Sequence, residues 1–390
     1  MISRPLVVGA IVALIAAGNA GVSAAQTSSE PQDLGGGWTA LAAGRSAEAE
    51  RYADAILRAD RRNRDAVALK IAARIAAGNV AGSLDAYEQW LSDVRQREDV
   101  FLLERVAIGV VDAAAKSKER NVRMRALEIQ AALGNRQAMA ELSALAEPTT
   151  VRAEASLARQ GDAAAIARLT ARVKDPNGRD VSDAIDALRE ADAKSAVGPI
   201  AAALDPRRPL PTRMAAARAL GQLGSLEAIP RLREALNDPD PPVRAIAAVS
   251  LAALGDHSGV ELVQALERSP VGDYRLLAVE ARAAREPSGP WVGVASAVLD
   301  DPDPLVRLRA AELLVRYAAE PGRASDVLQE ALADSNPAMR QSAADRLASL
   351  PAAALDRNLP ALRKLLRDSF APSRLEAAAA LLRASGAITP

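Results

Sequence analysis

The sequence predicts an all-α solenoid, a stack of helical hairpins each burying its apolar face against its neighbours. Three observations predict it. Arginines at Arg123, Arg152, Arg213, Arg244, Arg275, Arg307, Arg340 and Arg374, with Ser182 in the ninth slot, recur at steps of 29 to 34 residues. An alanine stands three residues after every one of these arginines, and only the Ser182 copy departs from the rule, with Ile185. The chain of 390 residues has only three Trp, four Tyr and two Phe, so its core must come from aliphatic residues, of which alanine and leucine are good helix formers. Self-similarity at this period marks units too small to hide their own apolar face, which therefore stack.

The elements follow in chain order. Arg4 precedes an apolar run from Leu6 to Ala17, and small residues continue through Val22, Ser23, Ala24 and Ala25. That order of charge, grease and small residues is the pattern of a secretory signal peptide, and the run is short for a membrane span. Cleavage after Ala24 or Ala25 is expected, the alternative being an uncleaved anchor. The mature chain is then secreted or periplasmic, in a bacterium by its alanine- and arginine-rich usage, with no membrane span. The absence of cysteine suits an oxidising compartment. Residues 26–36, rich in Ser, Gln, Pro and Gly, read as a disordered linker.

A second pattern occupies residues 37–93. Gly44 and Gly78 stand 34 residues apart, each placed where one helix stops and the next starts, with Ala49 and Ser83 five positions later where two helices would cross closely. Tyr52 with Leu57, and Tyr87 with Leu91, follow at matching places. From Gly37 to Ser92 this resembles the tetratricopeptide repeat, without that repeat's usual proline after the second helix. Two such units rarely form a full peptide-binding groove, and an N-terminal cap or adaptor is the alternative.

From residue 94 to 390 the arginine-marked units take over. Between Leu226 and Gly255, Ala228, Ile229, Leu232 and Leu236 make one apolar stripe; Asp238-Pro239-Asp240-Pro241 then breaks the helix, and Val243, Ala247, Leu251 and Leu254 make the next stripe. Proline is tolerated at a helix start and aspartate caps exposed amides there, so the turn is specified twice. With their Asp-Pro, Val-Arg, Ala-Ala and Leu-Gly landmarks, these units resemble HEAT repeats, in particular the HEAT-like class of the phycobiliprotein lyases.

An arginine in a helix's first turn meets the positive end of the macrodipole, a cost of a few tenths to about 1 kcal/mol that something must offset. Glu119, Asp240, Asp303 and Asn336 stand four residues before Arg123, Arg244, Arg307 and Arg340, and these are the expected partners. The resemblance implies that such pairs form a structural ladder bridging consecutive repeats; the alternative is a basic stripe for an anionic ligand.

At about 100° per residue, positions two, five and nine after the arginine point away from the buried face. The resemblance implies that second helices line the concave side, making these positions candidates for a binding face. Ile246, Val249 and Leu277 would gather there as an apolar patch flanked by Arg218, Glu280, Arg309 and Glu312, a grip for a protein partner. The alternative is that superhelical twist buries the patch.

Chemistry-bearing motifs are sparse. With no cysteine and a single histidine, His257, thiolate chemistry is absent and a histidine-based triad or iron set cannot be assembled from the chain. Gly35-Gly36-Gly37 has no Gly-Lys-Ser/Thr following it, so it is no phosphate loop. Lysine plus arginine and aspartate plus glutamate both number 49, which removes a general attraction to nucleic acid. The expectation is an exported, noncatalytic scaffold for protein partners, not an enzyme, with no catalytic, cofactor or metal residues. The alternative implied by the resemblance is an accessory lyase or chaperone-like enzyme subunit.

Overall fold

The computed structural model describes residues 33–146, 151–175, 178–283, 288–318 and 322–388; the signal-peptide reading and most of the linker reading fall outside them. The described residues are helical with no strand, an all-α solenoid as the repeat period predicts. The helices are α1 Leu34–Ala42, α2 Ser46–Ala59, α3 Arg64–Ala76, α4 Val80–Val94, α5 Val100–Ala114, α6 Arg120–Ala132, α7 Arg136–Ala146, α8 Val151–Arg159, α9 Ala163–Lys174, α10 Val181–Glu190 and α11 Val197–Ala202. They continue as α12 Leu210–Gln222, α13 Ile229–Ala235, α14 Pro241–Ala253, α15 Val260–Glu267, α16 Gly272–Ala283, α17 Trp291–Val298, α18 Pro304–Tyr317, α19 Ala324–Leu332, α20 Pro337–Ala348, α21 Ala352–Leu365 and α22 Ala371–Ala384. Among the described residues no helix is long and apolar enough to cross a membrane. They form two compact units, unit 1 from the described residues up to Ala126 and from Leu355 onward, and unit 2 from Leu127–Ala354.

In unit 1, α1 packs on α2 and α3, and α3 packs on α4 and α5. Gly44 and Gly78 end α1 and α3 with φ of 75° and 76°, the left-handed cap that only glycine adopts without strain. Helix α1 starts at Leu34, capped by Asp33, so Leu34, Gly35 and Gly36 are helical and correct the linker reading at its end. The glycines serve close approach instead: a Cβ on Gly37 would lie 2.4 Å from Leu69 Cδ2.

The chain's last helix also belongs here, because α22 packs along α5. Arg125 and Glu376 join through two bonds of 2.8 and 2.5 Å, although both occupy the position two residues after a repeat arginine. The inner-face positions of the first and last arginine-marked units thus meet each other. Arg363 reaches Glu98 at 3.0 Å and Glu88 at 2.5 Å, and Arg367 reaches Asp85 and Glu88 at 2.5 and 2.6 Å.

Glu98 also accepts from the buried Tyr87 hydroxyl at 2.7 Å, while that hydroxyl accepts from the Asp99 amide at 2.8 Å. Burial pushes the Tyr87 phenol well above its ordinary range, and the bond to Glu98 adds to the rise. A raised acid stabilises the fold fully below its unfolded pKa of about 10 and loses that contribution as pH climbs toward the folded value. Wild-type stability should therefore fall above about pH 10, and Tyr87→Phe should flatten that decline while costing about 1–2 kcal/mol at neutral pH. Urea midpoints across the alkaline range measure both; an unchanged alkaline slope would refute the assignment.

Unit 2 consists of hairpins in which each first helix packs on its second, α7 on α8 through to α19 on α20. The second helices stack in a row from α8 through α10, α12, α14, α16 and α18 to α20. In both units the alanine after the arginine sits at the crossing: Ala126, Ala216, Ala247, Ala278, Ala310, Ala343 and Ala377 have no exposed surface, and Ile185 has none either. Ala155 is half-buried. Gly221 lets α12 and α14 touch, since a Cβ there would stand 2.6 Å from Ser250 Cβ and 2.8 Å from its Cα. Gly221→Ala gains up to about 1 kcal/mol of helix propensity but forces backbone apart, so a net loss of about 1–2 kcal/mol is expected in thermal or urea unfolding.

The repeat arginines mostly bond their own turn, and their partners are not the side chains four positions back. In five units one guanidinium nitrogen, Nη1, donates to the backbone carbonyls six and five residues earlier. Arg244 bonds Asp238 and Pro239 at 2.7 and 3.0 Å, Arg275 bonds Ser269 and Pro270 at 2.9 and 3.2 Å, and Arg307 bonds Asp301 and Pro302 at 2.7 and 3.2 Å. Arg340 bonds Asp334 and Ser335 at 2.7 and 2.9 Å, and Arg374 bonds Asp368 and Ser369 at 2.5 and 3.1 Å. These carbonyls follow the C-terminal end of the preceding helix, where the dipole is negative, and that offsets the cost of a cation at the next helix's start. The residue six before the arginine also turns the chain with its side chain: Asp238, Asp301, Asp334 and Asp368 accept the amide two residues on, at 2.7 to 3.0 Å.

The four expected partners do other work. Asp303 and Asn336 cap α18 and α20. Asp240 takes Arg213 from the repeat before it, at 2.5 Å, and the Glu119 carbonyl accepts the Arg123 amide at 2.9 Å. Bridging between consecutive repeats occurs where Arg213 meets Asp238 and Asp240, where Arg275 lies 4.0 Å from Asp301, and where Arg152 reaches back to Glu128 at 2.9 Å.

Candidate functional site

Within unit 2 the row of second helices borders a cleft of about 650 Å³. All seven residues of the sequence-derived patch line it: Arg218 from α12, Ile246 and Val249 from α14, Leu277 and Glu280 from α16, and Arg309 and Glu312 from α18. One face of each helix is presented because the repeat length returns every second helix to the same register.

The apolar part differs from expectation. Ile246 and Val249 are only 3% and 7% exposed, so they form a packed floor and not a free patch. Helix α14 lies between α12 and α16, and Val249 joins a core cluster with Ala245, Ala248, Val263, Leu266 and Ala278. Superhelical stacking buries what a single helix would expose. Leu277 packs against that cluster and stays half-buried.

Charged side chains make the rim. Arg309 is bound to Asp273 and, at 3.3 Å, to Glu280. Glu312 accepts from Arg316 at 2.8 Å and from Arg346 at 2.5 Å, and Arg316 also reaches Ser349 Oγ at 2.5 Å. Arg189 bonds Asp186 at 3.3 Å and Glu190 at 3.2 Å. Arg218 is exposed and, among the described residues, has neither a hydrogen bond nor an ion pair.

Arg189 and Tyr317 also line the cleft, and sequence reasoning missed both. They stand seven and ten residues after Ser182 and Arg307, outside the two-, five- and nine-residue positions expected to face a partner. Each lies in the last turn of its helix, where no following turn covers it. The signal available in sequence was the helix end itself.

Unit 1 has a second cleft, of about 630 Å³, walled by Val106, Val110, Leu366 and Leu375. Its arginines are engaged: Arg367 with Asp85 and Glu88, and Arg374 with the carbonyls of its turn. His257 is exposed in the turn before α15, away from both linings. Among the described residues no three His, Asp or Glu side chains converge as a metal-binding set.

Residues 198–283 and 293–383 match the family model for HEAT repeats, so the chain carries HEAT repeats there, and every lining residue of the cleft except Arg189 falls inside these spans. A stretch of 56 residues is 50% identical to the phycocyanobilin lyase subunit alpha of Picosynechococcus sp., covering 14% of this chain and 21% of that protein. The chain therefore matches only about a fifth of that curated relative's length. Among solved structures, the complex of CpcE and CpcF of phycocyanin lyase from Nostoc sp. is 24% identical with a TM-score of 0.36, over 56% of this chain and 94% of that one. Human deoxyhypusine hydroxylase in complex with glycerol is 24% identical with a TM-score of 0.29, over 60% and 86%. Folds superimposing this loosely carry no functional argument. The local identity to a lyase subunit corrects two expectations, that the chain is a noncatalytic scaffold and that it is no enzyme, and it favours the accessory lyase reading.

Proposed function

We propose that this HEAT-repeat chain is an accessory subunit of the HEAT-like lyase class, holding a protein partner through the unit 2 cleft while the assembly handles a bilin-type substrate. The observation that carries the reading is the 56-residue stretch half identical to a phycocyanobilin lyase subunit. The cleft supports it: a packed apolar floor with a charged rim suits recognition, and no nucleophilic cysteine is present to take the chemistry onto this chain alone. Further parts of the reading are that the repeats extend over residues 94–390, that residues 37–93 are a tetratricopeptide-like start, and that residues 1–25 direct export before removal.

The test adds phycocyanobilin to the purified chain and follows its absorbance. Binding at one pigment per chain, with a shifted spectrum that persists through gel filtration, is the expected result. A spectrum identical to that of free pigment at every protein concentration would reject the lyase-class reading. Intact mass of the chain from its native source tests export separately, a mass that includes Met1–Ala24 counting against it.

A further inference from the structure

We propose that the unit 2 cleft is a docking groove for an extended acidic peptide segment of a partner protein, with Arg218 anchoring one of its carboxylates. This rests on the protein-partner part of the proposed function and names the partner's chemistry. The charge pattern points there first. The lining holds four arginines, Arg189, Arg218, Arg309 and Arg316, and the carboxylates Glu280 and Glu312, with Asp186, Glu190 and Asp273 paired to it from beside the cleft. Three of the four arginines are committed to carboxylates of the same chain, and Arg218 is the one left exposed without a bond among the described residues. A guanidinium at a groove's edge offers a bidentate fork that a carboxylate fits.

Shape argues for a chain over a compact ligand. Apart from Arg189 of α10 at one end, the lining crosses four stacked helices, α12, α14, α16 and α18. Neighbouring helix axes lie about 8–10 Å apart, so the groove runs for about 25–30 Å, the length of eight or nine extended residues at about 3.3 Å each. Small-molecule sites enclose most of their ligand, whereas this cleft opens to solvent along one side. Extended peptides also alternate their side chains, so apolar residues can rest on the half-buried Leu277 while acidic ones reach Arg218.

The experiment uses the full chain and two fluorescein-labelled nine-residue peptides, one alternating glutamate with leucine and the other alternating glutamine with leucine. Anisotropy at about 0.15 M salt should show the glutamate peptide binding and the glutamine peptide binding at least about tenfold more weakly, the loss expected for one charge-assisted bond. Arg218→Ala should weaken the glutamate peptide by about tenfold and Arg218→Lys by less, in a variant that keeps its fold because Arg218 is exposed and unbonded. Leu277→Ser should weaken both peptides alike. Equal binding of the two peptides, or an unchanged affinity in Arg218→Ala, overturns the proposal. So does phycocyanobilin displacing the peptide from the cleft, a result that would leave the lyase-class reading standing. A chain that binds the glutamate peptide as expected and no pigment at all would reject the lyase-class reading and keep the groove.

Discussion

Asp238→Ala should cost unit 2 about 3 kcal/mol, the low end of the range for breaking a buried ion pair, because Asp240 still faces the cation. Arg213 and Asp238 are each 4% exposed, and they bond directly, with Arg213 Nη2 reaching on to Asp240 at 2.5 Å and its Nε to the Arg208 carbonyl at 3.0 Å. A guanidinium keeps its proton at neutral pH with or without Asp238, so the cation cannot escape by losing it. Alanine therefore leaves that charge buried between two repeats with the half-buried Asp240 as its remaining carboxylate. A smaller loss is expected when both are replaced by apolar residues, as in Arg213→Met with Asp238→Leu, since the desolvation cost then disappears with the attraction. Hydrogen exchange along α12 and α14, with urea unfolding of the full chain, measures both variants. A single-variant loss below about 1 kcal/mol would show that the pair behaves as a surface bridge.

Glu376→Ala is the second large effect, at about 3 kcal/mol and confined to unit 1. Glu376 is 5% exposed and takes both forks of Arg125, fixing the last helix against the first arginine-marked unit. Its loss should raise hydrogen exchange in α5 and α22 together while α14 stays protected, because Glu376, α5 and α22 belong to unit 1 and α14 to unit 2. Uniform loosening of the whole chain would refute a local clasp. Arg363 and Arg367 are more exposed and face several carboxylates, so neutralising either alone should cost less.

Much of the cleft was legible because repetition fixes which side chains share a face. Arg218, Leu277, Glu280, Arg309 and Glu312 come together from three repeats as position counting requires. Counting failed for depth. Ile246 and Val249 sit at outward positions of an isolated helix, and only neighbours on both sides make them floor. It failed at helix ends too, where Arg189 and Tyr317 escape the cover that mid-helix residues receive. The carboxylate four residues before each arginine looked like its partner because side-chain charges are visible in a sequence. The true partners are mostly carbonyls, which every residue has and no composition marks.

The sequence by itself determined the all-α class, the repeat length, the breaks at Asp-Pro and Asn-Pro, and the alanines at helix crossings. These follow from local rules: propensity, capping and a period too short for a unit to shield its own apolar side. Tertiary structure alone decided that α22 returns to α5, that Glu376 is buried by Arg125, and that Arg218 has no partner among the described residues. Those outcomes depend on which distant surfaces meet and on the desolvation that meeting imposes, and no local pattern of residues encodes a contact across some 250 positions.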